Sequence, residues 1–410
     1  MKHYVIAGCG TAAIGCIEGI RSVDKDGTIT VISAEHYPAY CRPLISYYLE
    51  EKTTEEKMAY RSNTFYKDNG CEIIYGAKVI EIRKENKTVL TDTGAVIPFD
   101  KLLVATGSSP FVPPMENIET VENRFSFLTL DDAKKLKETV KPDCRVLIVG
   151  AGLIGLKCAE GLRAITENIT VCDLSDHILS SILDSEDAFI VQKHLEENGI
   201  QFYLHNSVKR FENNLAVMQS GEEIPFDVLV TAVGVRPNIT AFKNSGGACG
   251  RGIAVNERME TSLPNIYAAG DCTESLDISD GKIKIMALMP NAYLQGNTAG
   301  VNMAGGEALF NNAIPMNSIG FFGFHLMTAG TRSGKMREYR TQDSLKRFFF
   351  DENRLVGFVL IGNVKNAGIY TQFIRQKTVI GNQENEDFVK IPTLELFDAE
   401  SRRKVLESVV

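Results

Sequence analysis

The chain has 410 residues, 44% of them apolar and 23% charged. That composition excludes a disordered or fibrous protein, and the length points to two or three domains. Its 44 basic and 52 acidic side chains leave a net charge of −8, which argues against broad binding to a nucleic-acid backbone. No apolar run approaches the roughly 18 residues of a transmembrane helix. Met1-Lys2-His3-Tyr4 leads straight into a strand-like run rather than a signal peptide, so a cytoplasmic location is expected.

The first element is HYVIAGCGTAAIGCIEGI, residues 3–20. Its β-branched run reads as a buried parallel strand. Gly8 permits the tight turn, Gly10 lets a pyrophosphate approach the backbone, and Ala13 lets the helix pack closely. Thr11 and Ala12 open that helix, whose free N–H groups and dipole favour an anion. A second strand, TITVISA, leads to Glu35, a carboxylate suited to an adenosine ribose hydroxyl. A loop over 36–49 follows, carrying Cys41, Arg42 and Pro43. The segment GAVIPFDKLLVATG then ends on Ala105, Thr106 and Gly107.

The same pattern comes again. RVLIVGAGLIGLKCAEGL, residues 145–162, repeats the glycine turn with Gly150, Gly152, Leu153, Ile154 and Gly155. NITVCDL supplies the acid, Asp173, and GEEIPFDVLVTAVG ends on Val233 and Gly234. Pro98-Phe99-Asp100 recurs 127 residues later as Pro225-Phe226-Asp227. Domain duplication giving two nucleotide-binding units is the simplest account. Asp173 is followed by Leu174, Ser175 and Asp176, with no basic residue beside it. A 2′-phosphate meets repulsion there, so NADH is favoured over NADPH at the second unit.

Further along, IYAAGD is a short strand ending on Gly270 and Asp271, which presents an acceptor to a ligand hydroxyl. Pro290-Asn291-Ala292 opens a helix running to about Ala304, with proline in the first turn where it fits. SLKRFFFDENRLVGFVLIG reads as a hairpin turning at Asp351-Glu352-Asn353, and Asn366 opens an amphipathic helix to about Thr378. The polar segment 380–410 reads as a solvated or docking tail.

Together these stretches resemble the two-dinucleotide-binding flavoproteins of the pyridine nucleotide–disulfide oxidoreductase superfamily. Leu103-Val104-Ala105-Thr106-Gly107, the run Thr231 to Asn238, and the run Pro264 to Asp271 look like three of its motifs. The resemblance implies an α/β fold with two Rossmann-like dinucleotide-binding domains, the FAD domain being split by the inserted NAD domain, plus a small α+β C-terminal domain. FAD would be held by 1–115 and 245–312, and NADH by 116–244. Residues 313–410 would form the C-terminal domain found in NADH–rubredoxin oxidoreductase-like and nitrite-reductase-like members. In many relatives that domain forms a dimer interface, so a homodimer is expected by analogy. Asp271 would hold the ribityl chain, and the helix opening at Pro290 would face the flavin pyrimidine.

The family's loop over the flavin carries C-x-x-x-x-C in the disulfide reductases. Here Ile45 and Ser46 stand four and five residues after Cys41, which speaks against a dithiol relay. Single-cysteine relatives use one thiol in this region, although their cysteine aligns nearer Pro43. Cys41 keeps three readings: an inert loop residue, a redox thiol forming a mixed disulfide or persulfide, or a residue packed elsewhere. Arg42 beside it would lower its pKa, and reads as a flavin-side or surface contact. Lys157 stands where many relatives place a glutamate paired with a loop lysine. It is expected either to project toward the flavin and stabilise charge left after hydride transfer, or to face solvent. Glu160 is the expected partner of a nearby donor.

The other eight cysteines read as small buried hydrophobes, and Lys134-Lys135-Leu136-Lys137 as a solvated helix face. The six histidines show no metal-ligand pairing. The expected activity is hydride transfer from NADH to FAD. Electrons would then pass to a separate acceptor, a rubredoxin- or ferredoxin-like carrier or a partner subunit. A disulfide or persulfide reductase working through Cys41, and a flavin-bearing subunit of a larger complex, are the alternatives.

Overall fold

The structure is a computed structural model and describes residues 1–380. The described residues divide into two compact units, residues 1–275 with 285–310, and residues 276–284 with 311–380.

The first unit holds two parallel five-stranded sheets. In the first, the strands lie in the order Ile266–Ala268, Lys101–Val104, His3–Ala7, Thr28–Ile32, Cys71–Ile74. In the second the order is Ile200–Tyr203, Asn168–Cys172, Arg145–Val149, Val228–Thr231, Arg124–Phe125. All these pairings are parallel. The central strands are buried on both faces, which is why they read as continuous apolar runs rather than alternating ones. An antiparallel three-stranded ribbon follows each sheet's early strands, at Val79–Pro98 and Val208–Pro225. The same architecture therefore occurs twice, as the sequence repeat requires. The last strand of the first sheet, Ile266–Ala268, comes after the whole second sheet in the chain. The first Rossmann-like fold is thus split and the second is inserted into it.

Five helices position the site. They are α1 (Thr11–Val23), α2 (Ile45–Leu49), α3 (Leu130–Thr139), α4 (Leu153–Leu162) and α5 (Met289–Ala304). Helices α1 and α5 cross in backbone contact. A Cβ on Gly296 would lie 2.0 Å from the Ala12 carbonyl oxygen, and one on Gly15 would lie 2.2 Å from that of Tyr293. Helix α2 packs against both α3 and α4.

The second unit is an antiparallel sheet in the order Met316–Phe321, Phe324–Gly330, Arg354–Ile361, Leu345–Asp351, Lys335–Arg340. Helix Ala367–Gln376 covers one face, with Tyr370 meeting Phe348 edge to face at 4.8 Å. The hairpin turns at Glu352 and Asn353, with Glu352 at φ +50. Residues 276–284, read from sequence as part of the FAD domain, cluster instead with this unit. Ile278 packs on its core and donates its N–H to Ala313, and buried Asp277 pairs with Lys284. The polar tail, apart from Ile380, lies outside the described residues. No helix among the described residues is long and apolar enough to cross a membrane.

Candidate functional site

The two glycine turns are built alike. Gly8 and Gly150 sit at φ +120 and +118. A Cβ there would strike the carbonyl oxygens of Ala105 at 2.0 Å and Ala232 at 2.4 Å. Those carbonyls belong to the two repeated strand ends, so each turn is pressed against its own fold's crossover. Gly10 and Gly152 are different, because a Cβ there would meet nothing within 4 Å. Each is the N-cap of its helix, and no side chain caps either one. By contrast α3 carries a capping box from Thr129 and Asp132, and helix Ser185–Glu197 is capped by Asp184. The glycine-turn helices therefore keep free N–H groups facing open space, as an anion requires. Ala13 and Gly155 are both buried, and a Cβ on Gly155 would lie 2.0 Å from the Gly150 carbonyl oxygen. Thr11, Leu153 and Ile154 are half-buried.

Gly270 and Asp271 lie at the meeting point of two helix N-termini. A Cβ on Gly270 would be 3.3 Å from Ala12 Cβ of α1 and 3.7 Å from Ala292 Cβ of α5. Gln295, buried and unremarked in the sequence, accepts the Gly270 N–H at 2.8 Å and fixes the turn. Pro290 is in the first turn of α5, while Asn291 and Ala292 are buried. Burial raises the Asp271 pKa, against the opposing pull of Arg42 and the Ser108 hydroxyl. An Asp with a raised native pKa costs stability progressively as pH climbs from its unfolded value to its native one. Asp271→Asn is therefore expected to raise the melting temperature of the FAD-free protein at pH 7 and to leave it unchanged near pH 3. The same variant is expected to retain less FAD, which absorbance of the purified protein reads.

The loop over 36–49 forms a strap. Its backbone is held by Cys41 N–H to Met58 and Tyr60 N–H to Ala39, each at 2.9 Å. Glu35 forms an ion pair with Arg42 and accepts from the Tyr40 hydroxyl at 2.7 Å. Arg42 also donates to Tyr40 Oη at 3.1 Å and to the Leu128 carbonyl at 3.2 Å. Its guanidinium is thus turned to Glu35, and Arg42 does not depress the neighbouring thiol. The Cys41 pKa is raised by burial, the opposite of the sequence expectation. Pro43 is exposed. The lysine run of α3 is no plain solvated face either. Lys134 pairs with Glu55 at 2.7 Å and donates to Tyr37 at 3.0 Å, and Lys137 pairs with Glu51 at 2.9 Å. Both clasp the strap and the segment after it.

In the second fold, Asp173 Oδ2 accepts the Ala151 N–H at 2.7 Å and Oδ1 accepts that of Ser175 at 2.8 Å. The carboxylate is therefore anchored to the glycine turn itself. Lys157 is 16% exposed, pairs with Glu160 of the same helix, and lies over the Tyr47 ring at 4.8 Å. It is not a plain solvent-facing lysine, since its ammonium lies against Tyr47 of the strap helix α2. Ala105 is buried, and Thr106 and Gly107 lie at the crossover between the folds. There Asn238 donates to the Thr106 carbonyl at 2.9 Å and its own carbonyl accepts from Thr106 Oγ1 at 2.6 Å. Val233 is half-buried and Gly234 exposed at the matching crossover. All nine cysteines are free. Cys16, Cys158, Cys172 and Cys272 are buried, but Cys9, Cys71, Cys144 and Cys249 are only partly so.

Known proteins resemble this chain over most of its length. The chain is 28% identical over 388 residues to the NADH-dependent phenylglyoxylate dehydrogenase subunit epsilon of Aromatoleum evansii, covering 92% of each. It is 27% identical over 368 residues to the NADH-rubredoxin oxidoreductase of Clostridium acetobutylicum, covering 89% of this chain and 92% of that one. Among solved structures it matches a NAD-dependent persulfide reductase from A. fulgidus with TM-score 0.84 and 27% identity, over 92% of this chain and 77% of that one. Residues 2–296 match the family described as pyridine nucleotide-disulphide oxidoreductase. The chain belongs to that family.

Proposed function

We propose that the protein is an FAD-dependent NADH oxidoreductase that delivers electrons to a separate protein acceptor, a small iron–sulfur carrier or a partner subunit. The uncapped helices behind Gly10 and Gly152, with nothing in the space beside either glycine, fit two dinucleotides. In this reading Gly8, Gly10, Thr11, Ala12, Ala13, Glu35, Ala105, Thr106, Gly107, Gly270 and Asp271 hold FAD, with Arg42, Pro43 and the α5 residues Pro290, Asn291 and Ala292. Gly150, Gly152, Leu153, Ile154, Gly155, Asp173, Val233 and Gly234 hold NADH. Bound FAD supplies the two-electron chemistry, accepting hydride and releasing electrons. The chain's own part is orientation and exclusion of water. Lys157, paired with Glu160, seats Tyr47 of the strap and adds positive charge near it. A reducing, cytoplasmic compartment belongs to the same proposal, since all nine cysteines are free.

The observation that carries the choice of acceptor is the strap. It holds one thiol, Cys41, raised in pKa, with Ile45 and Ser46 after it, which supports a route without a dithiol relay in this loop. The likeness to a rubredoxin reductase and to a dehydrogenase subunit supports an external carrier or a partner. Cys41→Ser is expected to keep NADH-dependent rubredoxin reduction within about twofold of wild type. An anaerobic NADH titration is expected to show no thiolate-to-flavin band at pH 7. The second reading, a persulfide reductase through Cys41, has the likeness to the A. fulgidus enzyme in its favour. Loss of persulfide reduction alone in Cys41→Ser would support the thiol route for that activity, and loss of rubredoxin reduction as well would overturn the first reading.

A further inference from the structure

We propose that Tyr40 is a positioning residue, whose hydroxyl caps helix α3 of the second fold while it donates to Glu35 of the first. The inference rests on the proposed NADH-to-FAD reading only for its kinetic consequence. The geometry stands on its own.

The Tyr40 hydroxyl has one proton and two lone pairs. All are used. The proton goes to Glu35 Oε2 at 2.7 Å. The oxygen accepts the Leu130 N–H at 2.9 Å and Arg42 Nη1 at 3.1 Å. Leu130 is the first residue of α3, and its N–H has no partner inside the helix. The α3 capping box serves other groups, since Thr129 Oγ1 takes the Asp132 N–H and Asp132 takes those of Leu128 and Thr129. Tyr40, 90 residues earlier in the chain, completes the cap from the other fold. Arg42 adds a second tie, to the Leu128 carbonyl at 3.2 Å. Tyr40 is 9% exposed, so water has little access to substitute for the hydroxyl. Burial keeps it protonated at all working pH, which holds its donor and acceptor roles fixed.

The consequence concerns alignment. α3 follows the edge strand Arg124–Phe125 of the second sheet. Glu35 lies just past the end of strand Thr28–Ile32 of the first sheet. One hydroxyl thus ties the carboxylate expected to read the first fold's ribose to the entry of the second fold. Hydride transfer between two bound dinucleotides depends steeply on their mutual position, and displacements near 1 Å cost about 100-fold.

The test is Tyr40→Phe, which keeps the buried ring and removes only the hydroxyl. Hydrogen–deuterium exchange of the FAD-loaded protein is read at the Leu130 amide, with the Thr129 amide as an internal control. Leu130 is expected to exchange about 10- to 100-fold faster in the variant, with Thr129 unchanged. In stopped flow, NADH-to-flavin transfer is expected to slow by a similar factor, with NAD⁺ binding and FAD content unchanged. Equal Leu130 exchange in the two proteins overturns the cap. Faster exchange with wild-type transfer overturns the alignment role, and so does loss of FAD from the variant. Absence of NADH-dependent flavin reduction in the wild type overturns the proposed function instead, and leaves the exchange result to decide the cap.

Discussion

Gly8→Ala is expected to give a protein that neither folds stably nor holds FAD, whereas Gly10→Ala is expected to fold and still fail to hold it. The two residues are separated by one position but face different surroundings. At Gly8 the backbone stands at φ +120 and a Cβ would lie 2.0 Å from the Ala105 carbonyl oxygen. Both the strained dihedral and the collision with backbone must be relieved by moving the strand end. A left-handed or related strain costs about 1–3 kcal/mol and overpacking about as much again. Together these approach the whole stability of a marginal fold. At Gly10 the φ is −105, which any residue adopts, and the space beside it is open. Alanine for glycine at an N-cap costs at most about 1 kcal/mol. Its methyl occupies the approach to the free N–H groups of α1, and each charge-assisted bond lost there is worth about 1.5–3 kcal/mol. FAD affinity is therefore expected to fall on the order of 100-fold or more. Thermal melting of the FAD-free proteins, followed by fluorescence titration with FAD, separates the two effects. A Gly10→Ala protein that melts as poorly as Gly8→Ala would remove the distinction.

Those glycines were legible because their signal is local. A strand, a turn and a helix within 18 residues encode both the conformation and the ligand geometry. The duplication was legible for a related reason, since Pro98-Phe99-Asp100 and Pro225-Phe226-Asp227 mark equivalent strand entries. Asp271 was legible as a strand-end carboxylate. Tyr40 was not, because its partner Leu130 offers a backbone N–H, which leaves no mark in sequence. Gln295 escaped for the same reason, bonding the Gly270 backbone. Lys134 and Lys137 were misread because their partners lie some 80 residues away, and a lysine run gives no sign of which face meets a carboxylate. Arg42 shows how proximity in sequence misleads. It follows Cys41 directly, yet its guanidinium is claimed by Glu35, so the thiol receives burial without compensating charge. The 276–284 segment illustrates a further limit. Ile278 packs on the core of a sheet that comes later in the chain, and no composition shift announces it.

At the second fold, Asp173→Asn is expected to reduce the preference for NADH over NADPH by about 10- to 100-fold, and Asp173→Ala to reduce NADH turnover further. The difference comes from the double duty of the carboxylate. Oδ2 holds the Ala151 N–H of the glycine turn at 2.7 Å, and Oδ1 holds the Ser175 N–H. Asparagine keeps one acceptor for the turn but loses the charge that strengthens a bond to a ribose hydroxyl and repels a 2′-phosphate. Hydrogen bonds to charged groups contribute about 1.5–3 kcal/mol, which sets the 10- to 100-fold range. Alanine frees the turn as well, so the pyrophosphate site loosens together with the ribose site. Some discrimination survives either change, because exposed Asp176 stays ionised, its pKa lowered by the His177 ring beside it. Asp173→Asn combined with Asp176→Asn is therefore expected to bring the two cofactors closest to parity. The ratio of kcat/KM for NADH and NADPH, measured with a dye acceptor, reads each step. An unchanged ratio in the double variant would mean that this acidic corner does not face the ribose, and that the second glycine turn presents its dinucleotide in another direction.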